Sequence, residues 1–304
     1  MTTFSATDVA LEGFRITREN PRTTLLWAGV SLGVSIVAGV VSIGLGSEAT
    51  AAYDVISRRE PPTAMALLQA LETLLPILVL GFGIQCVMVA AVYRIVLRHE
   101  DHGFGYLKLG MDELRLAVLT LIYLLMGTAF LVSIGFAAGL ATIAVSGLGE
   151  GPVLLVGLLT YLFALGLAVF VAVRLSLAPV ITFDRRRLAI FDSWALTKGV
   201  FWKLLGAYVL TFFCMAVVTI LAIFIFSTMA FVVTGGNSQI VSKMLKPDES
   251  SIGTYFTVAT IIYLAFAALL TAIYYPVMVA PAAVAYQALS GGEAKGATGA
   301  ALPA

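Results

Sequence analysis

Apolar and polar residues in this chain are segregated into long blocks rather than alternated. Six apolar runs stand out, at about 24–46, 64–93, 114–146, 153–177, 204–234 and 255–289, joined by short polar connections. A helix needs about 20 apolar residues to cross ~30 Å of hydrocarbon, and every run is at least that long. The pattern therefore predicts an all-α, polytopic membrane protein with six transmembrane helices. Four or eight spans would follow if a boundary were misread, but six fits the loops best. Several runs exceed a straight crossing, which predicts tilt, kinks or projecting helix ends. Pro76, Pro179, Pro276 and Pro281 are candidate kink or end points.

Composition agrees with that pattern. Of 304 residues, 60% are hydrophobic and 12% are charged, and the mean hydropathy is +1.01. Soluble domains carry roughly 25% charged residues, because most of their exterior faces water. A net charge of +1 gives no electrostatic case for nucleic acid. Cys86 and Cys214 both lie inside apolar runs, where cysteine behaves as a small core residue. The first apolar run follows a mixed polar segment and is long enough to span, unlike a signal peptide; the chain is expected to be inserted whole.

Orientation follows from Lys and Arg, which accumulate on the cytoplasmic side. Segments 1–23, 94–115, 174–203 and the tail after 290 hold 14 of the chain's 18 basic residues. The opposite loops hold Arg58, Arg59, Lys243 and Lys246. The basic set is read as cytoplasmic, which places both termini there. Trp27, Trp194 and Trp202 fall near the same side, as interfacial anchors do. Residues 1–290 form one transmembrane domain on this reading, and the small, Gly/Ala-rich 291–304 a disordered cytoplasmic tail.

The basic segments resemble one another: GFRITRENPRTTLLWAG, GYLKLGMDELRLAVLTL and SWALTKGVFWKLLGAYVL. Each starts near an aromatic (Phe14, Tyr106, Trp194) on a short amphipathic stretch and meets a basic residue (Arg22, Arg115, Lys203) at the next span. The even-numbered runs close AVYRIVL, AVRLSLAP and VAYQALSG, aligning Arg94, Arg174 and Gln287. These matches predict three parallel units, at about 1–100, 101–182 and 183–290. Each would be an interfacial helix followed by two spans. Many unrelated membrane proteins also carry basic amphipathic stretches before their spans.

The stretch RLSLAPVITFDRRRLAIFDSWALTKGVFWKLLGAYVL resembles the YciC-like proteins. It is also similar to the membrane domain attached to some bacterial glycerophosphodiester phosphodiesterases. Arg174, Pro179, Ser193, Thr197, Gly199 and Leu204 match that pattern, and Asp184 stands where Glu is expected. FSATDVALEGFRITRENP and APAAVAYQAL resemble the group's two ends. The resemblance implies a bacterial inner-membrane protein. It does not imply phosphodiesterase activity, which belongs to a separate soluble barrel for which the loops leave no room.

Few residues are candidates for chemistry. Glu72, with Gln69 one turn earlier, lies in run two; an ionisable group within a span is a functional hypothesis, while an outer-interface position, with Arg58 or Arg59 as partner, needs none. Arg94 and Arg174, with Gln287, could bind lipid phosphate or simply snorkel to headgroups. The triplet Arg185, Arg186 and Arg187 attracts anionic lipid or only sets topology. His99-Glu100-Asp101-His102 has metal-like spacing, yet two glycines follow closely, and a solvated loop accounts for it. Gly29/Gly33 and Gly135/Gly139 have the GxxxG spacing of close helix packing. Tyr274-Tyr275-Pro276 is read as core packing. Serine-nucleophile, HExxH and P-loop motifs are absent. The expectation is a non-enzymatic protein without metal or cofactor, a scaffold or lipid-interacting partner. Its partners would be membrane lipids, including anionic headgroups, and a membrane protein. The alternative is a lipid or small-solute transporter with a polar site between the units.

Overall fold

The computed structural model describes residues 5–57, 63–98, 103–245 and 251–299. Its helices are α1 (Ala6–Glu19), α2 (Pro21–Leu45), α3 (Ser47–Ser57), α4 (Ala64–Leu97), α5 (Met111–Val145), α6 (Glu150–Leu175), α7 (Ala178–Arg185), α8 (Asp192–Leu196), α9 (Phe201–Val233), α10 (Ser238–Leu245), α11 (Ile252–Tyr255) and α12 (Val258–Gly299). No strand occurs among the described residues. The six helices long and apolar enough to cross a membrane are α2, α4, α5, α6, α9 and α12, one for each apolar run. This is a multi-pass helical membrane protein. At 1.5 Å per residue, the 34 residues of α4 reach about 51 Å, well beyond the ~30 Å hydrocarbon layer. α12 continues to Gly299, through much of the stretch expected to be a disordered tail.

The chain divides into two compact units that do not follow the three expected repeats. One unit comprises Ala10–Lys108 and Val209–Pro281. Pro21 opens α2, where its missing N–H is harmless, and the Thr24 hydroxyl donates to the Asn20 carbonyl at 3.1 Å. α1 is seated on α12 through Gly13. A β-carbon at Gly13 would lie 2.3 Å from Val277 Cα and 2.4 Å from the Pro276 carbonyl oxygen. The Thr211 hydroxyl donates to the Ala10 carbonyl at 3.4 Å. The hairpin α3–α4 closes through Ala49, Ala52, Ala70 and Leu74, flanked by Leu45, Val55 and Ile77. Farther along α4, the last turns from Ala90 to Val96 are wholly buried. Phe226 stacks on Phe266 with centroids 4.4 Å apart.

The other unit comprises Leu109–Tyr208 with the chain's two ends, up to Val9 and from Ala282. Its centre is the short helix α7. Pro179 starts α7, and Val180, Ile181, Thr182 and Phe183 are completely buried. α7 ends at Arg186, a left-handed residue with φ 52°. By contrast, most of α5 and α6 is exposed apolar surface. In water such surface would be untenable over this area; in a bilayer it is ordinary lipid contact.

Candidate functional site

The two arginines aligned in the sequence hold equivalent positions. Each sits in the last turn of a long span, and each donates to a backbone carbonyl of the aromatic residue that heads the next basic segment. Arg94 Nη1 reaches the Tyr106 carbonyl at 2.9 Å, and the residue is only 3% exposed. The segment it grips is tightly turned: Phe104, Gly105 and Tyr106 all have positive φ, and Trp27 Nε1 donates to the Gly105 carbonyl at 2.8 Å. Trp27 is thus a buried brace rather than a wetted anchor. A side chain at Gly105 would press on Leu26.

In the other unit Arg174 Nη1 makes longer contacts, 3.5 Å to the Trp194 carbonyl and 3.4 Å to Thr197 Oγ1. Its guanidinium lies 5.3 Å from the Phe170 ring centroid and 5.5 Å from that of Trp194, within cation–π range. Its Nε is buried and makes no hydrogen bond among the described residues. Phe201 and the highly exposed Trp202 extend this aromatic cluster. Arg174 is only partly buried, so its environment is looser than that of Arg94.

The segment after Arg174 is tied together by side chains. Ser193 Oγ donates to the Arg174 carbonyl at 2.6 Å and accepts from the Leu177 N–H at 3.2 Å. Thr197 donates to the Ser193 carbonyl at 2.9 Å. Thr182 accepts from the Ala189 N–H at 3.1 Å. Tyr208 donates to Ser176 at 2.9 Å, Tyr123 to the Ile190 carbonyl at 2.8 Å, and Tyr286 to Asp184 Oδ2 at 2.7 Å. Hence Ser193 and Thr197 brace backbone groups freed where α6 ends, and Thr182 braces the loop that follows α7. Gly199 is there because the turn needs φ +83°.

The basic triplet is partly neutralised. Asp192 lies 3.6 Å from Arg185 and contacts Arg187. Arg186 is exposed, and no carboxylate among the described residues pairs with it. Gln287 is exposed on α12. Gln69 and Glu72 both lie on the exposed side of α4, opposite the Ala70/Leu74 side packed on α3. All four glycines of the two GxxxG pairs are exposed, with open space where a β-carbon would go. The histidine cluster at 99–102 lies outside the described residues, as do Arg58 and Arg59. Among the described residues no group of His, Cys, Asp and Glu could hold a metal ion.

Sequence reasoning picked out Arg94, Arg174, Ser193 and Thr197 without their partners. Tyr286, Tyr208 and Tyr123 went unnoticed, because each acts on a residue distant in sequence; Asp192, close in sequence to the arginines it pairs with, was not singled out either. Each arginine has a backbone carbonyl among its acceptors, and a carbonyl leaves no mark in a sequence. Comparison with family models, with curated proteins and with solved structures found no match.

Proposed function

We propose that this protein is a non-enzymatic component of a bacterial inner membrane, related to the YciC-like proteins, that acts by binding lipid and assembling with a membrane partner. Both termini lie in the cytoplasm on this reading. The observation that carries it is the use made of the polar side chains. Arg94, Arg174, Thr182, Ser193 and Thr197 bond backbone groups, leaving none arranged as a nucleophile with a base. What remains for interaction is surface: Arg186, the aromatic rim of Arg174, Trp194 and Trp202, and broad apolar helix faces.

The paired positions of Arg94 and Arg174 support the threefold repeat of an amphipathic helix followed by two spans. In both cases the arginine closing one unit binds the carbonyl of the aromatic opening the next. Such a link ties successive units at a point where the chain leaves the membrane. Transport finds no support in Gln69 and Glu72, which face outward from α4.

Blue-native electrophoresis with crosslinking mass spectrometry on native membranes tests the assembly role. One partner in fixed stoichiometry is expected. A chain that migrates alone at natural abundance, and whose deletion leaves every membrane complex unchanged, refutes it. Solute flux in proteoliposomes above that of empty vesicles would move the assignment to a transporter.

A further inference from the structure

A long apolar groove runs between α5 and α6. Its larger part, about 790 Å³, is lined by residues including Tyr123, Phe130, Ala168, Ala172, Ser176 and Pro179. Phe130, Leu131 and Ala168 also line a second recess of about 390 Å³, which continues toward Gly157. From Gly157 to Leu175 the seam covers about 27 Å at 1.5 Å per residue. It is recessed because small residues, such as Gly127 and Gly135 opposite Ala164 and Ala172, line it. Small residues usually draw two helices together, but here the space stays open.

The groove's surroundings state what fills it. Within the most apolar stretches of these two spans, 6% of residues are buried in one and 0% in the other, so the groove opens onto hydrocarbon. Three of its hydroxyls are engaged, Tyr123 with the Ile190 carbonyl, Ser176 with Tyr208 and Thr160 with the Val156 carbonyl, while that of Tyr161 lies on an exposed side chain toward the far recess. So apolar a recess offers water too few polar partners to hold it. Ser176 and Pro179 line the end where α7 begins. Seven residues farther, about 10 Å along a helix, stands Arg186, exposed and with no carboxylate pairing with it among the described residues. Lys198 and Lys203 are exposed on the same basic segment.

We propose that the α5–α6 groove holds one acyl chain of an anionic phospholipid, whose phosphate is met by Arg186 and the basic segment beside α7. A chain of methylenes matches a long, narrow, dry groove, and an anionic headgroup matches its basic end. This deepens the lipid-binding half of the function proposed above and is independent of the protein partner. Loss of the lipid with the complex intact therefore rejects only this site.

The full-length protein in nanodiscs of equal phosphatidylglycerol and phosphatidylcholine is the test material. Native mass spectrometry is expected to show one retained phospholipid, enriched in phosphatidylglycerol. Ala168→Phe and Ala172→Phe fill the groove and are expected to lower occupancy about tenfold, equivalent to ~1.4 kcal/mol. Leu221→Phe, exposed on α9 and outside the lining of the groove, leaves it unchanged. Arg186→Gln keeps a bound lipid but loses the preference for phosphatidylglycerol. Wild-type occupancy in both groove variants overturns the proposal, as does a dimer mass that those variants abolish, which would make a second copy the occupant. Should the variants not fold, wild-type protein with diazirine-chain phosphatidylglycerol decides the matter. Crosslinks concentrated at Phe130 and 168–175 support the site, and crosslinks spread evenly over the spans reject it.

Discussion

At the scale of single residues, Gly13 and Arg94 show how little of a role is visible from residue type alone. Gly13 is one of 28 glycines, yet α12 approaches it closely enough to exclude even a methyl group. Gly13→Ala is expected to destabilise the protein by about 2–3 kcal/mol through overpacking. Gly29→Ala, where nothing lies within 4 Å, is the control and should be neutral or slightly stabilising, as Ala favours helix. Thermal unfolding in one detergent compares the two. Arg94 is nearly inaccessible and faces the Tyr106 carbonyl. Arg94→Met takes the guanidinium donor away from that carbonyl, for an expected loss of about 1–3 kcal/mol. Chemical denaturation in micelles measures it, and an unchanged midpoint would show the bond contributes nothing.

At the scale of elements, the segment from the end of α6 to the start of α9 is the most informative. A chain leaving a span must satisfy the carbonyls of its last turn. Ser193 does this while also binding the Leu177 N–H at the start of α7, so one hydroxyl joins the end of one helix to the beginning of the next. Ser193→Ala is expected to cost about 1–3 kcal/mol and to speed amide exchange at 177–183, while α2 and α4 keep their protection. Hydrogen–deuterium exchange reads this directly, and equal exchange in both proteins would deny the brace. The element itself was only partly legible. The motif residues were identified from their resemblance to a family, whereas α7 became a buried helix only through contacts with its unit. The sequence 178–185 is too short and too mixed to reveal burial by period.

For the whole molecule, the decisive property is topology. Cysteines introduced at Ser5 and at Gly235 should react with an impermeant maleimide from opposite sides of an intact membrane vesicle, and the proposed orientation puts Ser5→Cys on the cytoplasmic side. Reaction of both from one side would contradict an odd number of spans between them. Native Cys86 is buried and contributes little background; Cys214 is substituted beforehand. The two compact units share no boundaries with the expected repeats, since α9 and α12 each contribute to both. A sequence repeat records where similar segments recur, while compactness records which segments touch.

The order of amino acids alone determined the six spans, because crossing hydrocarbon needs only sustained apolar length and every backbone group is satisfied within its own helix. It also marked the arginines and hydroxyls worth watching. Only the tertiary structure decided their partners: that Arg94 is buried against a carbonyl, that Glu72 faces outward, that Gly13 seats one helix on another, and that α5 and α6 leave a groove between them. Those outcomes depend on distances between residues far apart in the chain, and periodicity along a single helix carries no information about its neighbours.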